Sequence, residues 1–364
     1  MKHLYKHFIV ALVYCLYWGS IQGQPLKMNQ TQVIGSHNSY KIEIEQPLLN
    51  FILSENPAAT GLDYSHISIT QQLDLGLRSL EIDVLYDPDG GRFSKPKGID
   101  ILASQGIEVK PYDADVMQQP GFKVLHIPDI DFRTHCYTFK ICLSFIRDWS
   151  KSHTNHLPII ITINPKSSGL DKPDFTRVIP FDKEVFDALD KEILEVFSTA
   201  HLITPGQVKG NAKTLREAVI HNGWPNLDKV RGKILFVLDA DKELTALYVK
   251  DDDTYTRPMF SNTHPDNSHA AFLIMNDPIK QEKNIIEHVK MGFMVRTRSD
   301  ADTREARTGN KSRFEAAVRS GAHVISTDYY QKSLSPNNDF EISFDGKYSQ
   351  CNPVLSKSKA CNLK

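Results

Sequence analysis

Apolar residues along the chain follow two alternating patterns. Short runs rich in Ile, Val, Leu and Phe are separated by longer stretches in which apolar residues recur at helical spacing. The short runs predict buried strands, and the longer period predicts helices that pack on them. The predicted strands are TQVIG (31–35), LEIDVLY (80–86), FKVLHI (122–127), PIIITI (158–163), KILFVL (233–238), AFLIM (271–275), GFMVRT (292–297) and HVISTDY (323–329).

The stretches between these strands carry helix start and stop signals. Ser68, Thr214 and Ser312 each precede a Gln or Glu by three residues, which is the spacing of an N-terminal capping box. Gly76 and Gly321 stand at the expected ends of two of these helices. The chain is therefore expected to alternate strands and helices.

This alternation indicates a (β/α)8 TIM barrel, because parallel strands need helical crossovers and are covered on both faces. A chain of 364 residues with 40% hydrophobic content has ample material for such a core. We expect the barrel domain to span 24–335, with a disulfide-stapled extension over 336–364 and one long loop through 250–255 and 261–269. A doubly wound open sheet is the alternative, but it would need a Gly-rich phosphate loop that the sequence lacks.

Residues 1–23 predict a secretory signal peptide. Lys2 and Lys6 precede the apolar run FIVALVYCLYW, and small residues follow around Ser20 and Gly23. An uncleaved anchor is the alternative, but this run is shorter than the roughly 20 residues that a spanning helix needs. We therefore expect a secreted, extracellular protein with no transmembrane segment in the mature chain.

Cysteine usage agrees with export. Cys15 lies in the predicted signal peptide, and the others form two close pairs, Cys136 with Cys142 and Cys351 with Cys361. Four cysteines allow three pairings, of which two local disulfides are the simplest, and free buried thiols are the alternative. No Cys and His spacing suggests zinc.

The charge balance narrows the class of partner. Removing residues 1–23 takes away two lysines, so 43 basic residues become 41 against 44 acidic ones. A protein that binds nucleic acid shows a clustered excess of Lys and Arg, which is missing here. Asn29 in NQT and Asn310 in NKS fit the acceptor pattern for N-glycosylation. We expect a monomeric glycoprotein with no nucleic-acid partner.

Polar side chains gather at or near the predicted ends of three strands: His37 and Asn38, Glu81 and Asp83, and His126. Active sites of TIM barrels lie at the carboxyl ends of the strands. Glu81 and Asp83 are two residues apart, so both point to the same side of their strand. Two converging carboxylates repel each other unless a cation joins them, although a salt-bridged or solvated strand end is the alternative.

The types of donor at these strand ends favour a hard cation. Carboxylate and carboxamide oxygens without a thiolate suit calcium or magnesium rather than zinc, and Asn38 and Asn164 would be the neutral donors. Near such an ion, one part of the site neutralises charge on the phosphorus oxygens and another protonates the departing alkoxide, which histidines do well. The pattern predicts metal-assisted cleavage of a phosphodiester. For His126 taken alone, a structural histidine is the alternative.

The fragments GSHNSY, LEIDV, VLHIPD and VRTRSDADTREAR…SGAHVISTDY, over about residues 30–330, resemble the secreted, calcium-dependent phosphatidylinositol-specific phospholipase C family. The resemblance implies that His37 stabilises the pentavalent phosphorane, with Asn38 as the neutral calcium ligand beside it. It implies Glu81 as a ligand and base toward the inositol 2-hydroxyl, and Asp83 as a further ligand. His126 would be the general acid that protonates the diacylglycerol oxygen. Calcium is the implied cofactor, and an inositol phospholipid at a membrane surface is the implied substrate.

Two strand ends depart from the eukaryotic relatives of that family. Asn164 stands where those enzymes have a glutamate ligand, which puts calcium affinity and activity in question. Asp239 and Asp241 stand where they have lysines for ring phosphates, so we expect unphosphorylated or glycosylated phosphatidylinositol as substrate. The candidates for holding the phosphate or ring hydroxyls, each with a solvated surface role as the alternative, are Lys166, Arg296, Arg298 and Tyr330.

Two other functions compete with this one. Glycerophosphodiester phosphodiesterases resemble the same pattern but carry a His-Arg pair on the first strand, where this chain has His37 and Asn38. A catalytically weak module that binds inositol lipids is the second alternative, which Asn164 keeps open.

Overall fold

The computed structural model describes residues 25–250, 252, 255–332, 338–356, 361 and 363. The predicted signal peptide lies outside the described residues. The strands of the described chain are β1 (Thr31–Ser36), β2 (Ser79–Val84), β3 (Ile159–Pro165), β4 (Ile234–Leu238), β5 (Met259–Ser261), β6 (Phe272–Ile274), β7 (Met294–Arg298), β8 (Val324–Thr327) and β9 (Ser349–Cys351).

The first eight strands form a nearly closed parallel barrel. Their order in the sheet is β5-β4-β3-β2-β1-β8-β7-β6, and a single parallel bridge between Asn262 and Phe272 links the two end strands. Every pairing among these eight strands is parallel. The prediction of a (β/α)8 barrel is therefore confirmed.

One predicted strand was wrong, and one strand of the barrel was not predicted. The run 122–127 is not a barrel strand, because β2 pairs directly with β3 along six register positions and leaves no place between them. Instead, Lys123 makes single antiparallel bridges to Leu85, which directly follows β2, and to Thr138. The run therefore lies beside the chain just beyond the end of β2. The missing eighth strand is β5, in the region where a long polar loop was expected.

Helices cover the outside of the barrel. Within the described residues they are α1 (Gln46–Glu55), α2 (Ile69–Leu75), α3 (Lys97–Ser104), α4 (Ala114–Met117), α5 (Phe139–Ser152), α6 (Lys183–Val196), α7 (Pro205–Lys209), α8 (Leu215–Glu217), α9 (Leu227–Val230), α10 (Lys242–Val249), α11 (Pro278–Met291), α12 (Arg304–Thr308) and α13 (Ser312–Ser320). None of the helices in the described part of the chain is long and apolar enough to cross a bilayer.

The predicted helix signals are largely present. Ser68 and Gln71 form the capping box of α2, and the side chain of Thr214 accepts a hydrogen bond from the backbone N–H of Glu217. The expected box at Ser312 is wrong by one residue, because Ser312 is the first residue of α13 and its N–H donates to Asn310 Oδ1 instead.

Alternation along the strands divides their residues between two environments. Leu80, Ile82 and Val84 of β2 lie in a hydrophobic cluster with residues of α5 and α6. The intervening residues Glu81 and Asp83 therefore point to the opposite side, toward the interior of the barrel. The same strand supplies a helix-covered core and two carboxylates for the site.

The C-terminal segment packs on the barrel. Strand β9 pairs antiparallel with β1, and Cys351 forms a disulfide with Cys361. Phe340, Ile342 and Phe344 are buried in one cluster with barrel residues. The second local disulfide, Cys136 with Cys142, is also present. Both disulfide predictions are confirmed, whereas the boundary at 335 remains a prediction.

The two predicted glycan acceptors lie in different environments. Asn310 is exposed at the loop before α13. Asn29 is only 7% exposed, and its Oδ1 is buried without a hydrogen-bond partner. A glycan on Asn29 would require the side chain to leave this buried position, so Asn310 is the better placed acceptor.

Candidate active site

The ends of β1 and β2 approach closely where the site begins. A Cβ on Gly35 would lie 2.5 Å from the Cβ of Ser79, so only glycine allows this approach. Just beyond, the N–H of Ser39 donates to the carbonyl oxygen of Glu81. These contacts place His37 and Asn38 beside Glu81 and Asp83 at the carboxyl end of the barrel.

A carboxylate on the last barrel strand orients His37. Its Nδ1 lies 2.9 Å from Asp328 Oδ1, and because a carboxylate only accepts hydrogen bonds, Nδ1 carries the hydrogen. Nε2 is then the nitrogen left for chemistry, 3.7 Å from Glu81 Oε1. Burial, followed by the nearby Arg298 guanidinium, lowers the pKa of His37 well below its usual range. His37 is therefore neutral at physiological pH.

His126 is held in a similar way. Its Nδ1 lies 2.7 Å from Asp131 Oδ2, and Lys41 Nζ lies 3.1 Å from the other oxygen of that carboxylate. Asp131 and Lys41 are completely buried. Burial alone would raise the pKa of Asp131, but the charges and hydrogen bonds of Lys41 and His126 lower it below the usual value. The imidazole of His126 is thus hydrogen-bonded to the buried, ionised carboxylate of Asp131.

Arg296 occupies the other side of Glu81. Its Nη2 is in close contact with Glu81 Oε2, and its Nη1 lies 3.6 Å from Asp239 Oδ2. Nη1 also donates to Asn276 Oδ1 at 2.9 Å. Burial raises the pKa of Asp239 to about 6, although the charge of Arg296 lowers it. Arg296 is therefore a buried partner of carboxylates rather than a free anion-binding group.

Asp83 is paired with a lysine from the next strand. Lys166 Nζ lies 2.7 Å from Asp83 Oδ2, yet neither oxygen of Asp83 accepts a hydrogen bond. The ammonium balances the charge of Asp83 through a close ion pair, and the hydroxyl of Tyr40 is a second polar neighbour of this carboxylate. Asn164 is the register partner of Asp83 on β3.

Asn38 has the properties of a neutral ligand. Its backbone is left-handed, with φ of 45°, and its Nδ2 donates to the hydroxyl of Tyr64 at 2.8 Å. This leaves Oδ1 buried with no hydrogen-bond partner. An unpaired buried oxygen beside two carboxylates is what a hard cation would satisfy.

The charges at this end of the barrel also fit a divalent cation. Four buried or half-buried cations of the described chain face six carboxylates, which leaves two negative charges when the imidazoles are neutral. The groups are Lys41, Lys166, Arg296 and Arg298 against Glu81, Asp83, Asp131, Asp239, Asp300 and Asp328.

No group of three or more His, Cys, Asp or Glu within the described ranges has metal-binding spacing. A calcium ion here would therefore need amide oxygens as well as carboxylates. The residues that fit this requirement are Asn38, Glu81, Asp83 and Asn164.

A cavity of about 670 Å³ opens above the two histidines. Its polar floor includes His37, His126, Arg298 and Asp328. The opposite wall is apolar and comes from α1, α3 and the loops after β1, β2 and β3. Its larger residues are Ile52, Leu62, Ile101, Ile130, Leu170 and Phe175. The cavity thus suits a molecule with one anionic end and one apolar end.

The structure brings together most of the residues that the sequence singled out. His37, Asn38, Glu81, Asp83, His126, Asn164, Lys166, Arg296 and Arg298 lie around one end of the barrel. Tyr330 does not reach the cavity: it is buried, stacks on His66 and accepts a hydrogen bond from the N–H of Ile67. Asp241 caps the N-terminus of α10.

Sequence reasoning missed the groups that orient the histidines. Asp328 follows β8, and Asp131 lies five residues after His126 in HIPDID. His66 donates from Nε2 to the carbonyl oxygen of His37 at 2.7 Å, and burial lowers the pKa of His66 to about 4. The signal for Asp131 was its position shortly after a candidate catalytic histidine, whereas Asp328 needed knowledge of the strand order.

Solved structures with the same fold include calcium-dependent phospholipases C. A Pseudomonas sp. calcium-dependent phosphoinositol-specific phospholipase C, in an apo form with myoinositol, has 15% identity and a TM-score of 0.54, over 90% of this chain and 96% of that one. A calcium-dependent phosphatidylinositol-specific enzyme from Streptomyces antibioticus has 16% identity and a TM-score of 0.51, over 84% and 95%.

Comparison with curated proteins found no significant match. The profile of one protein family, described as calcium-dependent phosphoinositide phospholipase C, matches residues 26–353. This match covers nearly the whole described chain and contains every candidate site residue. The chain belongs to the calcium-dependent phosphoinositide phospholipase C family.

Proposed function

We propose that this protein is a secreted phospholipase C that cleaves phosphatidylinositol, or a glycosylated form of it, into diacylglycerol and inositol phosphate. The observation that carries the proposal is the cavity with two carboxylate-oriented imidazoles at its floor and an apolar wall opposite them. The inositol phosphate end would lie on the polar floor, and the glycerol end would lie along the apolar wall. A monomer remains our expectation for the mature chain.

The reaction begins with attack of the inositol 2-hydroxyl on phosphorus. His37 Nε2 is the better placed base, because Nδ1 faces Asp328 and one oxygen of Glu81 is held by Arg296. The resemblance gave this role to Glu81 and gave His37 the stabilisation of the phosphorane. A protonated His37 fulfils that second role as well, since after taking the proton it can donate a hydrogen bond to a phosphoryl oxygen.

Protonation of the leaving group completes the first step. His126, as an imidazolium, would donate the proton of Nε2 to the diacylglycerol oxygen as the bond from phosphorus to that oxygen breaks, and the hydrogen on Nδ1 would stay with Asp131. Asp131 keeps the imidazole in place while its charge changes. Arg298, which lies on the cavity floor, would hold the phosphate. Calcium, when bound, would neutralise the charge that develops on the phosphoryl oxygens.

The head group is expected to carry no additional phosphates. Burial raises the pKa of Asp239, and the charges of Glu81 and Asp83 raise it further against the opposing charge of Arg296. An extra phosphate on the inositol ring would therefore meet repulsion on this side of the site. Unphosphorylated phosphatidylinositol, rather than a polyphosphoinositide, is the substrate that this charge distribution favours.

The test is an assay on vesicles of phosphatidylcholine with phosphatidylinositol, with calcium or with chelator. We expect calcium-dependent release of inositol phosphate that disappears in His126→Ala and His37→Ala, and ³¹P NMR would distinguish cyclic from acyclic product. Activity that survives chelation would refute the calcium role. Cleavage only of glycerophosphodiesters would support the competing phosphodiesterase.

A non-catalytic lipid-binding module remains the second candidate. The observation that favours it is that Lys166 and Arg296 already balance the two candidate metal-binding carboxylates. Vesicle binding that is equal in wild type and His126→Ala, with no product from either protein, would support this candidate.

A further inference from the structure

We propose that Lys166 is a built-in counter-ion of Asp83 that calcium must displace, and that the displaced lysine then binds the phosphate of the substrate. This inference rests on the calcium role in the proposed function. It assigns to Lys166 an effect on metal affinity as well as on anion binding, and it couples the two.

The first step concerns the charge of Asp83. This carboxylate is 0% exposed, and a buried carboxylate needs a cation or hydrogen-bond donors to remain ionised. The ammonium of Lys166 at 2.7 Å is the close charge that stabilises it in the metal-free protein, and the hydroxyl of Tyr40 is a neutral polar neighbour. Arg296 is committed to Glu81 and Asp239 instead.

The second step concerns the lone pairs of Asp83. Within the described residues, neither oxygen of Asp83 has a hydrogen-bond partner of good geometry, so Lys166 and the neighbouring Tyr40 hydroxyl do not fix its lone pairs. Asn164 stands beside Asp83 in the register of β2 and β3, and Asn38 offers a second unpaired oxygen nearby. The lysine thus balances the charge of a carboxylate whose acceptor positions suit a harder cation.

The third step concerns the freedom of Lys166 to move. Its backbone is fixed, since its N–H donates to the carbonyl oxygen of Val84 at 3.0 Å just after β3. Its side chain is 24% exposed, so its flexible stem can carry the ammonium toward solvent. The loop that follows supplies Leu170, Lys172 and Phe175 to the cavity wall. Lys166 therefore lies between Asp83, which it contacts, and a loop that reaches the cavity wall, and its side chain has the freedom to leave Asp83.

Calcium and the ammonium of Lys166 would therefore compete for the same carboxylate, Asp83. A calcium ion on Asp83 would repel the ammonium, which would then turn toward the nearest anion, the substrate phosphate. Because binding energies are linked, calcium would strengthen anion binding and the anion would strengthen calcium binding by the same factor. Without substrate, Lys166 would compete with calcium for Asp83 and lower the calcium affinity. With substrate bound, Lys166 would contact the phosphate instead, and the calcium affinity would be higher.

The test measures calcium binding by titration calorimetry without lipid, which does not depend on turnover. Lys166→Gln removes the charge and can still donate to Asp83, so we expect calcium to bind about ten- to a hundredfold more tightly than in wild type. Lys166→Arg keeps the charge and should stay near the wild-type affinity. Lys140→Gln removes an exposed lysine that pairs with Glu195, and should leave the affinity unchanged.

A second measurement tests the coupling with myo-inositol 1-phosphate as the probe. In wild type, saturating calcium should raise the affinity for this anion at least about fivefold, the size of a typical coupling between sites, and in Lys166→Gln the gain should be smaller. In the absence of calcium, Lys166→Gln should also unfold at a lower temperature than wild type, and calcium should restore this loss.

Equal calcium affinity in wild type and Lys166→Gln would overturn the inference, and so would tightening in Lys166→Arg as large as in Lys166→Gln. In either case calcium-dependent cleavage of phosphatidylinositol would leave the proposed function intact. If no variant binds calcium and cleavage survives chelation, the calcium role and this inference fail together.

Discussion

Replacement of Asp328 by asparagine tests whether His37 acts through the orientation that the structure gives it. Asp328 Oδ1 accepts the hydrogen of His37 Nδ1 at 2.9 Å, and the side chain of Asp328 is almost completely buried. Asparagine has nearly the same shape but presents an amide that can also donate. In Asp328→Asn, the imidazole of His37 can therefore rotate or change tautomer, and Nε2 is no longer held as the hydrogen-free nitrogen that accepts the proton of the substrate.

The expected loss follows from the bond that is removed. A hydrogen bond to a buried charged group contributes about 1.5–3 kcal/mol, which corresponds to a fall of about 10- to 150-fold in kcat/KM. Because Asp328 also pairs with Arg298 at 3.7 Å, and Arg298 would hold the phosphate, the fall should appear in kcat together with a rise in KM. The assay is the initial rate on phosphatidylinositol vesicles at saturating calcium.

Two controls separate positioning from folding. Asp148→Asn removes an exposed carboxylate that pairs with Arg147, and it should keep the wild-type rate. Proton–nitrogen NMR of the imidazoles should show a changed tautomer population for His37 in Asp328→Asn. A wild-type rate in Asp328→Asn, or a lower rate with an unchanged His37 tautomer, would refute the reasoning.

Three further substitutions test other parts of the site and core. Asn164→Asp adds a charge beside Asp83 and should tighten calcium binding about tenfold in calorimetry, whereas weaker binding would contradict Asn164 as a ligand. His323 accepts a hydrogen bond at Nδ1 from the N–H of Val295, and burial lowers its pKa from 6.5 to about 4. Between pH 6.5 and 4, His323 is protonated in the unfolded chain but not in the folded chain, so the free energy of unfolding falls as the pH drops. In urea denaturation, His323→Asn should make this fall smaller by about 3 kcal/mol. Lys41→Met removes the buried cation beside Asp131 and leaves only His126, among the described residues, paired with this carboxylate. It should lower the free energy of unfolding by about 3–5 kcal/mol, and a loss below about 1 kcal/mol would contradict the buried pair.

The barrel and the part of the site on β1 and β2 could be predicted from the sequence, because the carboxyl ends of parallel strands lie at the same end of a barrel. His37 and Asn38 follow β1, and Glu81 and Asp83 lie in β2, so any closed parallel barrel would place them on one rim. Their identity as polar residues next to apolar runs was visible in the sequence. Strand β5 was missed because it contains only two apolar residues, Met259 and Phe260, at the edge of a polar stretch, and its place depends on pairing with β4.

His126 reached the predicted place by a different route. The apolar run 122–127 looks like a strand, but β3 occupies the position next to β2. Lys123 instead exchanges backbone hydrogen bonds with Leu85, directly beyond the end of β2. A segment that pairs with the residue directly after a strand carries its polar side chain to the same rim as a strand would. Periodicity alone does not distinguish these two cases.

The charge partners could not be predicted from the sequence, because the order of the strands in the sheet, rather than distance along the chain, determines which charged residues meet. Asp328 reaches His37 because β8 pairs with β1, and Arg296 reaches Glu81 across the interior from β7. Lys166 meets Asp83 because β3 lies beside β2. The Arg296–Glu81 pair needs a curved sheet, whereas the other two pairs need only their neighbouring strands, so assembling the sheet also neutralises the site. A carboxylate of this rim that loses its partner therefore affects both stability and chemistry, and measurements on these variants need both readouts.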